Sequence, residues 1–215
     1  YLYISHPIYI KLYNFVFGLT GTIGDTEDKK LLRKHYNLIP KSIPRQFPNR
    51  CYHFPITLCK SSDERNNYIV KEIMEFHKSG YPVLAIFYSP DEIEIIQKII
   101  EERDDFDTKK EKIRIYNGQD IKFKLNNDVG KKGTISLGTN VCGRGTHINV
   151  DDNHLHVIIS FYSTNKRTIE QAYGRTARKD KFGSVHIICQ QEDFYNGSNY
   201  LDENDLDLNL AKFKI

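Results

Sequence analysis

Two periodicities of apolar residues alternate along this chain. The first is a set of short, nearly continuous apolar runs: Pro82 to Tyr88, Ile113 to Tyr116, Thr134 to Leu137, Leu155 to Ser160 and Val185 to Cys189. Runs of this length without polar alternation read as strands buried on both faces. The second is helical. Ile69, Ile73 and Phe76 fall on one face of one segment, and Ile93, Ile96 and Ile100 on one face of another. Asp25 to Tyr36, Gln119 to Asp128 and Asn165 to Ala177 are predicted as further helices. Phe15-Val16-Phe17 reads as a short buried strand closed by the glycine turn Gly18-Leu19-Thr20-Gly21-Thr22. Strands alternating with helices predict an α/β fold with a parallel sheet flanked by helices.

Punctuation residues place the boundaries. Ser61-Ser62-Asp63-Glu64 spells a capping box, and Gly80 stops the helix it opens. Ser89-Pro90-Asp91-Glu92 opens the next helix, with Ser89 as N-cap, Pro90 at the first position and Glu92 at the third. Asp91-Glu92 after an apolar strand also resembles a magnesium-binding carboxylate pair, but capping explains it better. Asp25 to Tyr36 carries acids first and Arg33, Lys34 and His35 last, as the helix dipole favours. Pro40, Pro44, Pro48 and Pro55 forbid a helix across residues 38–60 and predict an extended connector. The expected organisation is residues 1–50 as the end of a preceding domain plus connector, 51–195 as the main domain, and 196–215 as an acidic surface tail. With Tyr1 in place of Met, the chain is expected to be a piece of a longer protein.

Composition narrows the class. The chain has 215 residues, 39% hydrophobic and 27% charged, as in an ordinary globular domain. A net charge of +3 is too small to argue for nucleic acid by itself, and no basic groove with aromatic interleaving stands out. Cys51, Cys59, Cys142 and Cys189 show no CxxC spacing, which predicts free thiols in a reducing, cytoplasmic setting. No apolar run reaches the length of a membrane span. Eight histidines lack any metal-ligand spacing, so no metal site is expected and they are read as structural or exposed. No GxxxxGK[ST] phosphate loop occurs: the glycine turn at 18–22 has no lysine, and Gly130-Lys131-Lys132 lacks the hydroxyl residue.

The chemistry is concentrated in two segments. Thr139-Asn140-Val141-Cys142-Gly143-Arg144-Gly145-Thr146-His147-Ile148 follows an apolar strand, where glycines let backbone approach a phosphate closely. Gln171-Ala172-Tyr173-Gly174-Arg175-Thr176-Ala177-Arg178 begins 24 residues after His147. On a helix, Gln171, Arg175 and Arg178 share one face or its end, aiming both guanidiniums at one anion. Each segment has a plain alternative, a solvated arginine in a turn and a basic helix end. Taken together they favour phosphate contact, because fixed guanidiniums stabilise the charge that develops in phosphoryl transfer.

The two segments, read with the rest of the chain, resemble SecA, the preprotein-translocase motor ATPase family. Gly18-Leu19-Thr20-Gly21-Thr22 is similar to the family's GMTGT, Ile43-Pro44 to its connector, and Gly80-Tyr81-Pro82-Val83-Leu84 to its GxPVLV strand. Thr139 to Ile148 resembles TNMAGRGTDI and Gln171 to Arg178 resembles QLRGRSGR, while Gly183-Ser184 and Glu192-Asp193 match its closing stretch. The likeness covers about residues 20–190. It implies a RecA-like second motor domain, preceded by the end of the first, with ATP and Mg2+ bound between the two. It implies that Arg144, Arg175 and Arg178 meet the γ-phosphate and that Gly143 and Gly145 shape the nucleotide turn. It implies that Gln171 and Thr20 couple nucleotide state to domain closure. His147 stands where the family has Asp at the cleft, and the turn after Asn117 lacks the family's acidic and His positions. Gly-to-Ala at Ala177 reads as a mild change. The implied partners are a first motor domain of the same protein and a polypeptide substrate or translocation channel, in the cytoplasm or at a membrane surface. Two other readings stay open: a non-catalytic scaffold of SecA ancestry, favoured by His147 and the lost acidic turn, and a nucleic-acid helicase module. Without a phosphate loop, this chain alone is not expected to hydrolyse ATP.

Overall fold

A computed structural model describes residues 4–24, 26–108, 110–116, 129–139, 150, 154–163 and 165–197. The strands are β1 (Cys51–His53), β2 (Thr57–Cys59), β3 (Val83–Phe87), β4 (Ile113–Tyr116), β5 (Ile135–Thr139), β6 (His154–Ile159) and β7 (Phe182–Gln190). They form one sheet in the order β1-β7-β6-β3-β5-β4, with β2 also on β7, and every pairing is parallel. The helices are α1 (His6–Ile10), α2 (Thr26–Tyr36), α3 (Ser62–Lys78), α4 (Pro90–Glu101), α5 (Lys166–Tyr173) and α6 (Gln191–Gly197).

The strand period of two divides the core between the sheet's faces. Val83, Ala85 and Phe87 of β3 pack with Ile69 and Ile73 of α3 and with Ile93, Ile96 and Ile100 of α4. Leu84 and Ile86 pack on the other face with Val157, Ile187, Ile169 and Ala172 of α5, and Phe194 of α6. Each of these side chains larger than alanine contributes about 1.5–3 kcal/mol by leaving water. Both helix starts are fixed as the sequence predicts. Ser61 Oγ accepts from Glu64 N, and Glu92 accepts from the backbone N–H of Tyr88 and Ser89. Gly80 ends the α3 turn at φ +81°, a conformation that suits glycine.

Several sequence expectations change. Phe15-Val16-Phe17 is not a strand: Phe15 and Phe17 are 84% and 95% exposed, and none of the described strands pairs with this stretch. An apolar run becomes a strand only where a neighbour completes its hydrogen bonds. The proline-rich connector, conversely, contains β1 and β2. They form a single edge interrupted at residues 54–56, where Pro55 has no N–H to give the ladder. Cys51 pairs with Gly183 but Thr57 with Ile188, so the break carries one extra residue. The helix expected over Asn165 to Ala177 ends at Tyr173. Short α1 and α6 were not expected. The helix expected over Gln119–Asp128, and residues 198–215 of the tail, lie outside the described residues.

Under α3 the sheet carries a buried polar network. The Glu72 carboxylate accepts from His156 Nε2 at 2.8 Å and from His186 Nδ1 at 2.7 Å. Ser184 Oγ bonds His156 Nδ1 at 2.7 Å and His154 Nε2 at 2.8 Å, and Thr57 Oγ1 bonds His186 Nε2 at 2.9 Å. Phe76 stacks on His156 with ring centres 3.6 Å apart. Burial pushes the Glu72 carboxyl up, but its two imidazole partners outweigh this and hold it at about 2. Burial pulls His156 below its usual value despite the carboxylate beside it, and also lowers His154 and His53.

These shifts set the acid response. A histidine whose folded value is depressed loses stability as pH falls below the unfolded value, about 6.5. A depressed carboxyl does so below about 4.3, down to its folded value. Stability measured by denaturant melts should therefore fall in two stages, first below about pH 6.5 and then from about pH 4.5 towards 2. Glu72→Gln should flatten the lower stage and cost about 1–3 kcal/mol at neutral pH, as leaving buried hydrogen-bonding groups unmet does. An unchanged acid profile and midpoint would show that the network contributes nothing to stability.

Candidate functional site

The segment between α5 and β7 holds two of the arginines singled out by sequence. Asn165 caps α5 by accepting from Arg167 N, and Ile169 and Ala172 bury its inner face. The helix stops at Tyr173 with Gly174 as C-cap, so Gln171 stands on its last turn while Arg175 and Arg178 lie on the turn that follows. The three do not share a continuous helical face; they stand at the helix end, the other arrangement the spacing allows. Ala177, Lys179 and Asp180 adopt positive φ of 51°, 52° and 65°, which a continuing helix does not tolerate.

This turn is pinned at several points. Thr176, 3% exposed, donates its hydroxyl to Leu155 O at 2.6 Å, tying the turn to β6. A side-chain carbon on Gly183 would overlap Thr176 Oγ1 and come within 2.8 Å of Ala177 N. Only glycine admits the turn this close to β7. Arg50 pairs with Asp180 at 3.0 Å, lies 4.9 Å from the Phe182 ring centre, and accepts from Gly183 N through its carbonyl. Arg178 Nε donates to Gly174 O.

Arg175 is 5% exposed, whereas Arg178 is half-buried. Burial lowers the Arg178 guanidinium from its usual value, yet arginine keeps its charge under such shifts. The acid of the turn, Asp180, is occupied by Arg50. Among the described residues no group of His, Cys, Asp and Glu is placed to hold a metal ion.

Gly143, Arg144, Gly145 and His147 lie outside the described residues. The segment carrying them leaves the carboxyl end of β5 at Thr139 and re-enters the described structure at Val150, which bridges Gly130. Lys181 donates to Val150 O. Lys181, just past the arginine turn, and Val150 therefore meet at the amino-terminal edge of the sheet. Among the described residues, exposed Thr20 hydrogen-bonds only with Thr22, and they do not bring it to the turn. Sequence reading missed the Glu72 network, whose one signal was histidine at alternate positions 154 and 156 in an apolar strand. Ser184, His156 and Glu72 follow one another as in a nucleophilic triad, but they are 2%, 0% and 8% exposed, so no substrate reaches them.

The family model described as SecA P-loop domain matches residues 56–193. The chain belongs to this SecA family. The protein translocase subunit SecA of Helicobacter hepaticus is 29% identical over 199 residues, covering 88% of this chain and 22% of that protein. SecA of Nitratiruptor is 28% identical over the same shares. The chain thus spans about a fifth of the length of these relatives. S. cerevisiae Dbp5 bound to RNA and ADP BeF3 has a TM-score of 0.55 at 13% identity, covering 88% of this chain and 52% of that one. The DUF1998 helicase MrfA bound to DNA has a TM-score of 0.53 at 18% identity, covering 77% and 24%. These similarities show a RecA-like fold of the helicase type. Among the described residues of this SecA-family chain, no helix is long and apolar enough to cross a membrane.

The glycine-to-alanine departure at Ala177 is less mild than its size implies, since alanine is held at φ +51°. Ala177→Gly should stabilise the chain by about 1 kcal/mol. Gly183→Ala should cost about 1–3 kcal/mol, because the turn must shift from β7. Thermal melts of both variants check this pair of signs. Unchanged melting temperatures for both, or the two signs reversed, would mean that the turn does not hold this backbone.

Proposed function

We propose that this chain is the second motor domain of a SecA-like, ATP-driven polypeptide translocase, and that its arginine turn completes an ATP site shared with a first motor domain. The observation that supports this reading is the pinned turn, in which Thr176 bonds Leu155 and Gly183 admits the close approach, with Lys181 just beyond it donating to Val150. On this reading residues 51–195 form the motor unit, and residues 1–50 belong to the preceding domain and its connector. ATP with Mg2+ supplies the phosphoryl group and its charge at the domain interface. Arg178, the more exposed of the pair, reaches across to the terminal phosphate oxygens. Arg175 backs it from inside the turn, and Arg144 adds a third positive charge. Gly143 and Gly145 let backbone N–H groups approach the phosphates. Gln171 and Thr20 report nucleotide state to domain closure, Thr20 only after it moves from its present local hydrogen bonds. Such a protein works in the cytoplasm or at the membrane face of a translocation channel.

A specific departure supports a second reading, a SecA-derived scaffold without turnover. His147 replaces the aspartate of the resembling motif, and a neutral imidazole lacks that carboxylate's charge. The helicase reading has no comparable support beyond a fold that many functions share.

Three measurements separate these readings. The 215-residue chain alone should release no phosphate from Mg-ATP, because phosphoryl transfer needs the phosphate-loop half as well; magnesium-dependent turnover would refute the division of labour. In the longer protein, Arg178→Ala should lower turnover roughly 10³-fold with a near-normal melting temperature, whereas Arg175→Ala should also destabilise. Changes within about two-fold for both would reduce them to structural residues. His147→Asp should raise nucleotide affinity by about 1.5–3 kcal/mol if the cleft works. Binding below detection with and without the change leaves the scaffold.

A further inference from the structure

The opposite, carboxyl-terminal edge of the sheet carries a second feature, independent of nucleotide binding. From β3 the chain proceeds to β5 and β4 on one side, and from β6 to β7 on the other. The crevice beyond β3 and β6 is therefore the point where connections diverge, the place where open parallel sheets receive ligands. A pocket of about 460 Å³ occupies it, lined by Arg65, Tyr88, Glu92, Phe161, Tyr162, Gln190 and Asp193. That is a volume typical of ligand sites.

Its walls are aromatic and its free charge is negative. Tyr88, 78% exposed, meets Phe161 edge-on at 6.0 Å, and Tyr162 meets Phe194 at 4.6 Å. Arg65 is committed: it pairs with Glu92 at 2.9 Å and donates to Asn66 Oδ1. The other Glu92 oxygen caps α4. Asp193 is exposed and makes no ion pair among the described residues, so it is the uncompensated charge of the lining. The amide oxygen of Gln190 adds a neutral acceptor. The hydroxyl of Ser160, next to Phe161, is 1% exposed and has no hydrogen-bond partner. A phosphate backbone would meet Asp193 and a guanidinium already spent on Glu92. A cation would meet ring faces, a carboxylate and neutral oxygens, the set that recognises guanidinium and ammonium groups.

We infer that this pocket binds the arginine or lysine side chain of an extended polypeptide, held between the tyrosine rings and Asp193. The test uses the 215-residue protein without ATP and a fluorescently labelled short peptide with one central arginine, read by anisotropy. A norleucine counterpart and a single-stranded DNA oligonucleotide serve as competitors. The arginine peptide should bind at least about tenfold more tightly than the norleucine peptide, a difference of about 1.4 kcal/mol. Asp193→Lys and Tyr88→Ala should each weaken it by about the same factor, and Asp193→Glu should keep it within about threefold. Both positions are exposed, and circular dichroism confirms that the variants fold. Equal binding of the two peptides, an unaffected Asp193→Lys, absence of binding, or displacement by the oligonucleotide would each overturn the inference. Because nucleotide is absent throughout, failure here leaves the arginine-turn reading untouched.

Discussion

The close approach of the 174–181 turn to β7 governs the arrangement of the site. Gly183 leaves no atom where Thr176 Oγ1 must sit, and Thr176 spends its hydroxyl on Leu155. From that contact the rest follows. The turn cannot continue α5, so its backbone takes left-handed conformations at three residues other than glycine. Such strain persists only where surrounding contacts impose it, and it gathers at working sites. Arg50 reinforces the clamp from the connector through Asp180 and Phe182. The effect is to hold Arg175 inside and Arg178 half-buried on the same turn.

The sheet behind this turn is itself held by a polar layer. Glu72 reaches from α3 to histidines on β6 and β7, and Ser184 and Thr57 satisfy their remaining ring nitrogens. A buried carboxylate is tolerable only when its lone pairs are met in this way. The network fixes α3 over the amino-terminal half of the strands with directional bonds, where the aliphatic core alone is less selective about register. Ser184 follows Gly183 directly, so the same dipeptide serves the clamp on one side and the network on the other.

Much of this was legible in the sequence, for a physical reason. Strands buried on both faces must be apolar throughout, so β3, β5, β6 and β7 announce themselves, and the caps at Ser61 and Ser89 mark where α3 and α4 begin. The chemistry of Arg175 and Arg178 was legible as a motif, but its geometry was not. An i, i+4, i+7 spacing looks the same whether the helix continues or breaks, and the break depends on a glycine nine residues later. Strands β1 and β2 were hidden because Pro55 interrupts one edge, and that edge is recognisable only once β7 is present to pair with it. The Phe15–Phe17 run failed in the opposite way: its composition suits a strand, but no described strand pairs with it. The Glu72 network joins residues 84 and 114 positions apart, a distance over which local pattern carries no signal.

The central claim is that the pinned turn presents its arginines to a phosphate at a domain interface. A crystal structure of the longer protein, both motor domains included, with Mg2+ and a non-hydrolysable ATP analogue tests it directly. The account predicts the Arg178 guanidinium within about 3 Å of a terminal phosphate oxygen, with Thr176 still bonded to Leu155 and Gly183 still against the turn. Nucleotide bound with Arg178 turned away from it, or a turn released from β7 when nucleotide binds, would contradict it.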